Sequence, residues 1–161
     1  MSPTNPSFRL SSTAFEEGQT IPKEYTGDGR NDSPPLRWSD PPAGTQSFTL
    51  LCDDPDAPRG TFVHWVAFNL PASLRELAAG VSRTEALADG TRQGTNGFGK
   101  LGYGGPSPPP GKPHRYFFKL FALDTLLDLR PGASQEQVQK AMQGHQLAEA
   151  HLMGTYGRTG R

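Results

Sequence analysis

The chain has very little cysteine, no net charge and no run of one charge sign. Cys52 is the only cysteine, so an intrachain disulfide is impossible and nothing suggests an oxidising compartment. We expect Cys52 to be a small buried apolar residue and an inert thiol. Sixteen basic residues balance sixteen acidic ones. This balance argues against a nucleic-acid-binding protein, because affinity for the phosphate backbone comes mainly from concentrated Lys and Arg.

Export and membrane signals are also missing. The first ten residues carry neither a charged leader nor an apolar stretch of signal-peptide length. No later segment approaches the roughly 20 apolar residues of a membrane span. We therefore expect a cytoplasmic protein, and the length of 161 residues predicts a single domain over 1–161 that can bury a substantial core.

Glycine and proline, in contrast, are abundant. Nineteen glycines and sixteen prolines separate short apolar runs, a spacing typical of short strands because both residues weaken helices. An all-β fold is therefore predicted. The candidate strands are Phe8–Ser12, Leu36–Trp38, Ser47–Asp53, Val63–Leu70, Arg115–Leu123 and Ala148–Tyr156.

The strand after His114 has the clearest pattern. Alternation places Tyr116, Phe118, Leu120 and Ala122 on one face, and Phe117, Phe121 and Leu123 on the other with Lys119. Because both faces are largely apolar, the pattern predicts a central strand that is covered on each side.

One helix is well signalled near the C-terminus. Ser134 with Gln137 three residues later makes a capping box, and Gly144 can end the helix in a left-handed conformation. Its buried face should consist of Val138, Ala141 and Met142. A weaker helical turn is predicted at Ser73–Leu77, and a long loop at Ala79–Gly99.

Two carboxylates and two imidazoles stand out as site residues. Asp54 and Asp56 lie in the run DPDAP, His64 follows ten residues after Asp54, and His114 follows sixty after it. Between the histidines, residues 102–111 (GYGGPSPPPG) can form neither a helix nor a central strand, because glycine is too free and proline lacks an N–H donor. This segment is predicted to be a shaped loop.

These residue types suit a small anion pocket. A carboxylate beside an imidazole orients one ring nitrogen and leaves the other as a donor to an anion, so Asp54 or Asp56 could orient His64 or His114. Backbone amides at a glycine-rich turn can add uncharged donors, as in anion-binding nests. The expected ligand is a phosphoryl or similar anionic group.

The same segments, in this order, resemble the phosphatidylethanolamine-binding protein family, which includes Raf kinase inhibitor-like proteins. The family carries a D-P-D-A-P run, a histidine on the next strand, and a G-x-x-P-P loop that leads into H-R-Y. The flanks at 34–38 (PPLRW) and 117–124 (FFKLFALD) resemble it too. The chain ends where the bacterial branch ends, so the resemblance implies no extra C-terminal segment of the kind found in animal and plant members.

The resemblance implies a Greek-key β-sandwich of two antiparallel sheets with one or two short helices. It also implies a pocket for phosphate, acetate-like anions or the phosphoethanolamine head group, a homodimer, and, by analogy, modulation of a kinase or other enzyme through a phosphorylated partner. Some branches have two consecutive histidines where this chain has only His64, and animal proteins have glycine at the position of Ser107. The ligand-binding residues implied by position are Asp54, Asp56, His64, Gly105, Ser107, Pro108, His114 and Tyr116.

Structural roles for the same residues stay open at this stage. Asp54 and Asp56 could cap turns through Asx hydrogen bonds, and His64 could be a satisfied core histidine. Alternation sends Arg115 away from its neighbours His114 and Tyr116, which favours a structural ion pair. His145 and His151 lack a local carboxylate partner and are predicted to be surface or packing residues.

The alternative class is a small-molecule hydrolase or a metal-dependent enzyme that uses the same Asp/His cluster. Ser107 is the only candidate nucleophile near the cluster, and no G-x-S-x-G elbow is present. No compact metal-binding spacing such as H-E-x-x-H appears either. The favoured hypothesis is therefore a non-enzymatic binding module without a metal or cofactor.

Overall fold

The computed structural model describes residues 7–158, and most of its regular structure is β. Residues 1–6 and Arg161, on which the expectations about export and about the end of the chain depend, lie outside the described residues. The elements in chain order are β1 (Arg9–Ser11), a 3-10 helix (Lys23–Tyr25), β2 (Leu36–Ser39), β3 (Ser47–Asp54), β4 (Phe62–Pro71), β5 (Glu76–Leu77), β6 (Arg92–Gln93), β7 (His114–Leu123), α1 (Gln135–Met142) and β8 (Gln146–Tyr156).

The strands form two sheets. A three-stranded sheet has the order β1-β2-β5, and a five-stranded sheet has the order β6-β4-β3-β7-β8. Every paired strand is antiparallel to its neighbour. The connection from β4 to β7 passes over β3, as in a Greek key, so the predicted all-β sandwich with a short helix is confirmed.

The main core lies between the two sheets. Leu10, Leu36 and Trp38 project from the smaller sheet, and Phe48 and Leu50 meet them from the larger one. A second apolar cluster covers the opposite face of the larger sheet, where it packs under α1. Its buried members are Leu51, Val66, Phe68, Phe121, Leu123, Leu127, Ala133, Val138 and Met142.

Strand β7 is central, as its alternation predicted. It pairs with β3 along one edge and with β8 along the other. Lys119 is the polar exception on its outer face, and the Lys119 Nζ lies 3.2 Å from the Oδ2 of Asp53 on β3. The side chain of Gln135 from α1 donates to the same oxygen. Asp53 therefore belongs to the contact between the sheet and α1.

The predicted helix is confirmed with its capping box. The Ser134 hydroxyl accepts from the Gln137 backbone N–H, and the Gln137 side chain accepts from the Ser134 N–H. Val138 and Met142 are fully buried, and Gly144 follows with a φ of 82°. No helix in the described part of the chain has the length or the apolar character needed to span a lipid bilayer.

Two local predictions were wrong. The helical turn expected at Ser73–Leu77 is instead the end of a turn followed by β5, which pairs with β2 through Leu36 and Leu77. The loop expected at Ala79–Gly99 contains β6, which pairs with β4. In both places the exposed edge of a longer strand offers backbone partners, and these outweigh weak local helix or turn preferences.

Candidate functional site

A small pocket lies where β3, β4 and β7 meet the loops at one end of the larger sheet. Its volume is about 150 Å³. It brings together residues far apart in sequence, six of which were singled out from the sequence as ligand-binding. The lining residues are Asp54, Ala57, Pro58, Phe62, His64, Phe98, Ser107, Pro108, Pro109, His114 and Tyr116.

Asp54 and His114 form the polar centre of the pocket. The Nδ1 of His114 donates to the Oδ2 of Asp54 at 2.6 Å, and both side chains are almost fully buried. The other carboxylate oxygen accepts from the Asp56 N–H at 2.8 Å, which is the Asx turn considered from the sequence. With Nδ1 committed to the carboxylate, only the Nε2 of His114 can meet a ligand.

His64 reaches the pocket because β4 is irregular at this position. Cys52 pairs with Trp65 and Asp53 pairs with Val63, so His64 is an extra residue opposite β3. Such a bulge re-aims side chains that regular alternation would send to the other face of the sheet. Trp65 packs in the intersheet core, and His64 also lies on that side, 5.1 Å from the ring of Tyr116.

The hydrogen bond of His64 fixes its tautomer. Its Nδ1 lies 2.6 Å from the carbonyl oxygen of Gly104. Because a carbonyl oxygen can only accept, Nδ1 carries a proton. Burial lowers the pKa of His64 below its usual value, although the Gly104 carbonyl and the carboxylates of Asp54 and Asp53 act in the opposite direction. The neutral ring therefore presents an unprotonated Nε2.

Tyr116 stands between the two histidines. Its ring stacks with that of His114 at 6.4 Å and meets that of His64 edge-on. Burial, together with the charge of Asp54, raises the pKa of Tyr116 far above its usual value. The phenol consequently keeps its proton and is a hydrogen-bond donor at any physiological pH.

An aromatic wall closes one side of the pocket. The rings of Phe62 and Phe98 are 4.8 Å apart in an edge-to-face arrangement, and Phe98 is 45% exposed at the mouth. A Cβ at Gly104 would lie 2.5 Å from the Phe98 ring, so glycine is required there. Buried Asn96 holds this loop, because its Oδ1 accepts from the N–H groups of Phe98 and Lys100.

Asp56 does not orient a histidine, which corrects one expectation from the sequence. It lies outside the pocket lining, and its carboxylate accepts hydrogen bonds from both the Nε and the Nη2 of Arg115, each at 2.9 Å. Hydrogen bonds from Arg115 lower the pKa of Asp56 to about 2. The predicted structural ion pair of Arg115 is confirmed, with Asp56 as its partner.

The glycine amides of the loop are not available to an anion either. The Gly105 N–H donates to the Oδ1 of Asn31, and the Gly104 N–H donates to the His64 carbonyl. A Cβ at Gly105 would come within 2.6 Å of the Tyr25 carbonyl oxygen. Gly105 therefore allows close packing of the loop against residues 25–31, and the structure contradicts the expected nest of free donors.

Ser107 and Pro108 line the pocket as expected. The Ser107 hydroxyl lies against the Cα of Gly27, where any larger residue would overlap it. The carbonyl of Pro108 accepts from the Nη1 of Arg158 at 3.0 Å, which ties the loop to the C-terminal end of the described chain.

The two histidines outside the pocket do have carboxylate partners, so that prediction was wrong. The Nδ1 of His145 lies 2.8 Å from Asp124, and the Nε2 of His151 lies 2.8 Å from Glu149. All four side chains are 40–49% exposed, as expected for surface residues. Cys52 is buried, and burial raises the pKa of its thiol.

A larger, open groove of about 580 Å³ lies between β1 and β8. Its lining carries three carboxylates, from Glu16, Glu17 and Glu149, and one guanidinium, from Arg9, a balance that disfavours an anion. Within residues 7–158, no group of three or more His, Cys, Asp or Glu side chains lies close enough to hold a metal ion.

The chain is similar in sequence and in fold to proteins of a known family. The family model described as "Phosphatidylethanolamine-binding protein" matches residues 11–157. A UPF0098 protein of Methanothermobacter thermautotrophicus is 52% identical over 151 residues, which cover 94% of this chain and 99% of the relative. A UPF0098 protein of Aquifex aeolicus is 50% identical over 149 residues, 91% of this chain and 86% of the relative.

Two solved structures share the fold. A homologue of the phosphatidylethanolamine-binding protein from Chlamydia trachomatis superposes with a TM-score of 0.87 at 39% identity, covering 96% of this chain and 99% of its own. YbcL of Escherichia coli, described as a member of the mammalian family, superposes with a TM-score of 0.89 at 34% identity, covering 95% and 99%.

Proposed function

The chain belongs to the phosphatidylethanolamine-binding protein family, and we propose that it is a non-enzymatic binding module whose pocket holds a phosphoryl or phosphoethanolamine-like anion. The buried hydrogen bond between Asp54 and His114 carries this proposal. It directs the Nε2 of His114 to the ligand, beside the protonated phenol of Tyr116. The phenol supplies one donor and the doubly protonated form of His114 supplies a second, in a site that is otherwise lined mainly by apolar side chains.

The size of the pocket limits the ligand to a small group. Sites for drug-sized molecules typically enclose about 300–1,000 Å³, whereas this pocket encloses about 150 Å³. A phosphate or a head group fits this volume, but acyl chains would have to stay outside. We therefore propose recognition of the anionic group alone and not extraction of a whole lipid.

The position of Ser107 favours binding over hydrolysis. An acyl- or phosphoryl-enzyme mechanism needs a nucleophile within hydrogen-bond reach of its base. Among residues 7–158, the hydroxyl of Ser107 lies against Gly27 and makes no hydrogen bond to His64 or His114. The alternative of a hydrolase or metal-dependent enzyme predicts turnover of phosphoesters that His114→Ala abolishes.

The exposed aromatic wall supports a wider role. Phe98 is nearly half exposed at the mouth of the pocket, where it can pack against the chain that carries a phosphorylated side chain. We propose that a phosphorylated protein, such as a kinase or another enzyme, is modulated in this way in the cytoplasm. The family resemblance adds a homodimer, which light scattering after size-exclusion chromatography would test directly.

Ring resonances of the four histidines provide the decisive test. Titration with inorganic phosphate and with phosphoethanolamine should shift the NMR signals of His64 and His114 saturably. His145 and His151, which lie on the surface with carboxylate partners, serve as internal controls and should not respond.

Two matched variants show which histidine is responsible for the NMR response. His114→Ala should abolish the saturable shift, while His151→Ala should leave the phosphate affinity unchanged. If neither pocket histidine responds to either ligand, the pocket is structural or serves another ligand, and the proposal fails.

A further inference from the structure

His64 offers a ligand in the pocket an acceptor. Its Nδ1 donates to the Gly104 carbonyl, so the proton of the neutral ring is already committed. The Nε2 on the opposite side of the ring has no hydrogen-bond partner among residues 7–158, and the ring lines the pocket. An anion that carries only lone pairs would face this nitrogen unfavourably.

The surroundings of His64 keep this ring neutral. His64 is only 3% exposed, and the aromatic rings of Phe62 and Phe98 lie edge-on to its ring at 5.0 and 5.8 Å. The charged or titratable groups that influence it are Asp53 and Asp54 on β3 and His114 on β7, with the protonated phenol of Tyr116 beside it. Burial is the largest of these influences and acts against a charged imidazole.

We propose that the pocket selects oxyanions that bring their own hydroxyl proton, which they donate to the Nε2 of His64. Tyr116 donates to another oxygen of the same group, and His114 also donates when its ring carries both protons, because Asp54 holds the proton on Nδ1. The proposal rests on the proposed anion-binding function and narrows its ligand class to hydrogen phosphate and phosphomonoesters in their monoanionic form. Sulfate has no such proton at neutral pH, and neither has a phosphodiester, including the phosphodiester of an intact phospholipid.

The proton that the ligand must carry gives this selection a second, pH-dependent test. A monoanionic phosphomonoester brings the required proton, so its binding needs no exchange with solvent at His64. A dianionic phosphomonoester must take up one proton, which is then shared between its oxygen and Nε2. Since the second pKa of a phosphomonoester is about 6, the affinity should fall as the pH rises above about 6.

Calorimetric titration with three small anions tests the selection. Methyl phosphate is the probe, sulfate is a control of similar size without a proton, and dimethyl phosphate is a control with a single charge and no proton. At about pH 6, where roughly half of the methyl phosphate carries the proton, its affinity should exceed that of each control at least about tenfold.

The variant His64→Gln identifies the selecting group. A glutamine amide can turn either its donor or its acceptor toward the ligand, so the ratio between methyl phosphate and sulfate should fall close to one. His151→Gln, on the surface, is the matched control and should keep the wild-type ratio. Direct ¹⁵N NMR of the wild-type ring adds a measurement that does not need the variant to fold, because the Nε2 of His64 should have the shift of an unprotonated nitrogen.

The outcomes separate this proposal from the broader one. If methyl phosphate, sulfate and dimethyl phosphate bind equally well, the anion pocket stands but the selection by His64 is refuted. A wild-type ratio retained in His64→Gln, or a protonated Nε2 in the free protein at neutral pH, also refutes it. If none of the three anions binds, the proposed function fails, and this inference fails with it.

Discussion

Replacing Asp54 by asparagine should weaken phosphate binding about tenfold while the protein stays folded. The side chain is 3% exposed, and its two oxygens accept from the His114 Nδ1 at 2.6 Å and the Asp56 N–H at 2.8 Å. An amide keeps the shape but turns one of these acceptors into a donor. The backbone N–H of Asp56 cannot reverse its polarity, so the amide nitrogen must face His114.

His114 can adapt only by changing its tautomer so that Nδ1 accepts. Its Nε2 can still donate to the ligand, but the hydrogen bond to a carboxylate is replaced by one to a neutral amide, and charge-assisted hydrogen bonds are roughly twice as strong as neutral ones. We expect a loss of roughly 1.5–3 kcal/mol in the free energy of unfolding for the lost bond to a charged group. Calorimetry with phosphate and urea denaturation measure the two effects.

Asp124→Asn is the matched control, because it removes the equivalent partner of His145 on the surface. There the Nδ1 to Oδ1 distance is 2.8 Å, but both side chains are 46% exposed. Solvent screening should limit its effect on stability to less than about 1 kcal/mol, with no change in phosphate affinity. If Asp54→Asn bound phosphate as tightly as the wild type, the Asp54–His114 pair would not be part of the binding site.

Three further predictions address neighbouring features. Because burial lowers the pKa of His64 in the folded protein below its ordinary value of 6.5, the unfolded chain binds more protons below that pH. The free energy of unfolding, measured by urea denaturation at several pH values, should therefore fall as the pH drops below 6.5, and more steeply in the wild type than in His64→Gln. Asp56→Asn should leave phosphate affinity unchanged and lower the free energy of unfolding by less than about 1 kcal/mol, since its pair with Arg115 is partly exposed. The stabilisation by this pair is present above pH 3.8 and disappears as the pH falls toward about 2. A tenfold loss of phosphate affinity would show instead that Asp56 belongs to the site. Asn96→Ala should lower the free energy of unfolding by about 2–3 kcal/mol, because its buried side chain makes three hydrogen bonds to the loop that carries Phe98. An unchanged midpoint of urea denaturation would contradict this role.

Local patterns were sufficient to predict most of the fold. The alternation of β7 and the capping box at Ser134 are properties of a few consecutive residues, and both were confirmed. The two-residue strands β5 and β6 have no such pattern. Their conformation depends on the open edges of β2 and β4, which a single segment of sequence does not reveal.

The site was predicted less completely than the fold. Residue types and order pointed to Asp54, His64, His114 and Tyr116, which meet in one pocket. The hydrogen bonds of the loop could not be predicted, because Asn31, which occupies the Gly105 N–H, is 74 residues away in sequence. Phe98 was missed as well. An aromatic residue between two glycines, outside any apolar run, was the signal that could have found it.

The bulge at His64 makes the larger sheet less regular, but it places the His64 side chain in the pocket. Deleting one residue there would let Cys52 and Asp53 of β3 pair with β4 in an uninterrupted ladder. This change by itself would make the sheet more regular. It would also remove the imidazole of His64 from the pocket or send it to the opposite face of the sheet. Idealising this backbone would therefore make the sheet more regular while it removes from the pocket the side chain on which the proposed ligand selection depends.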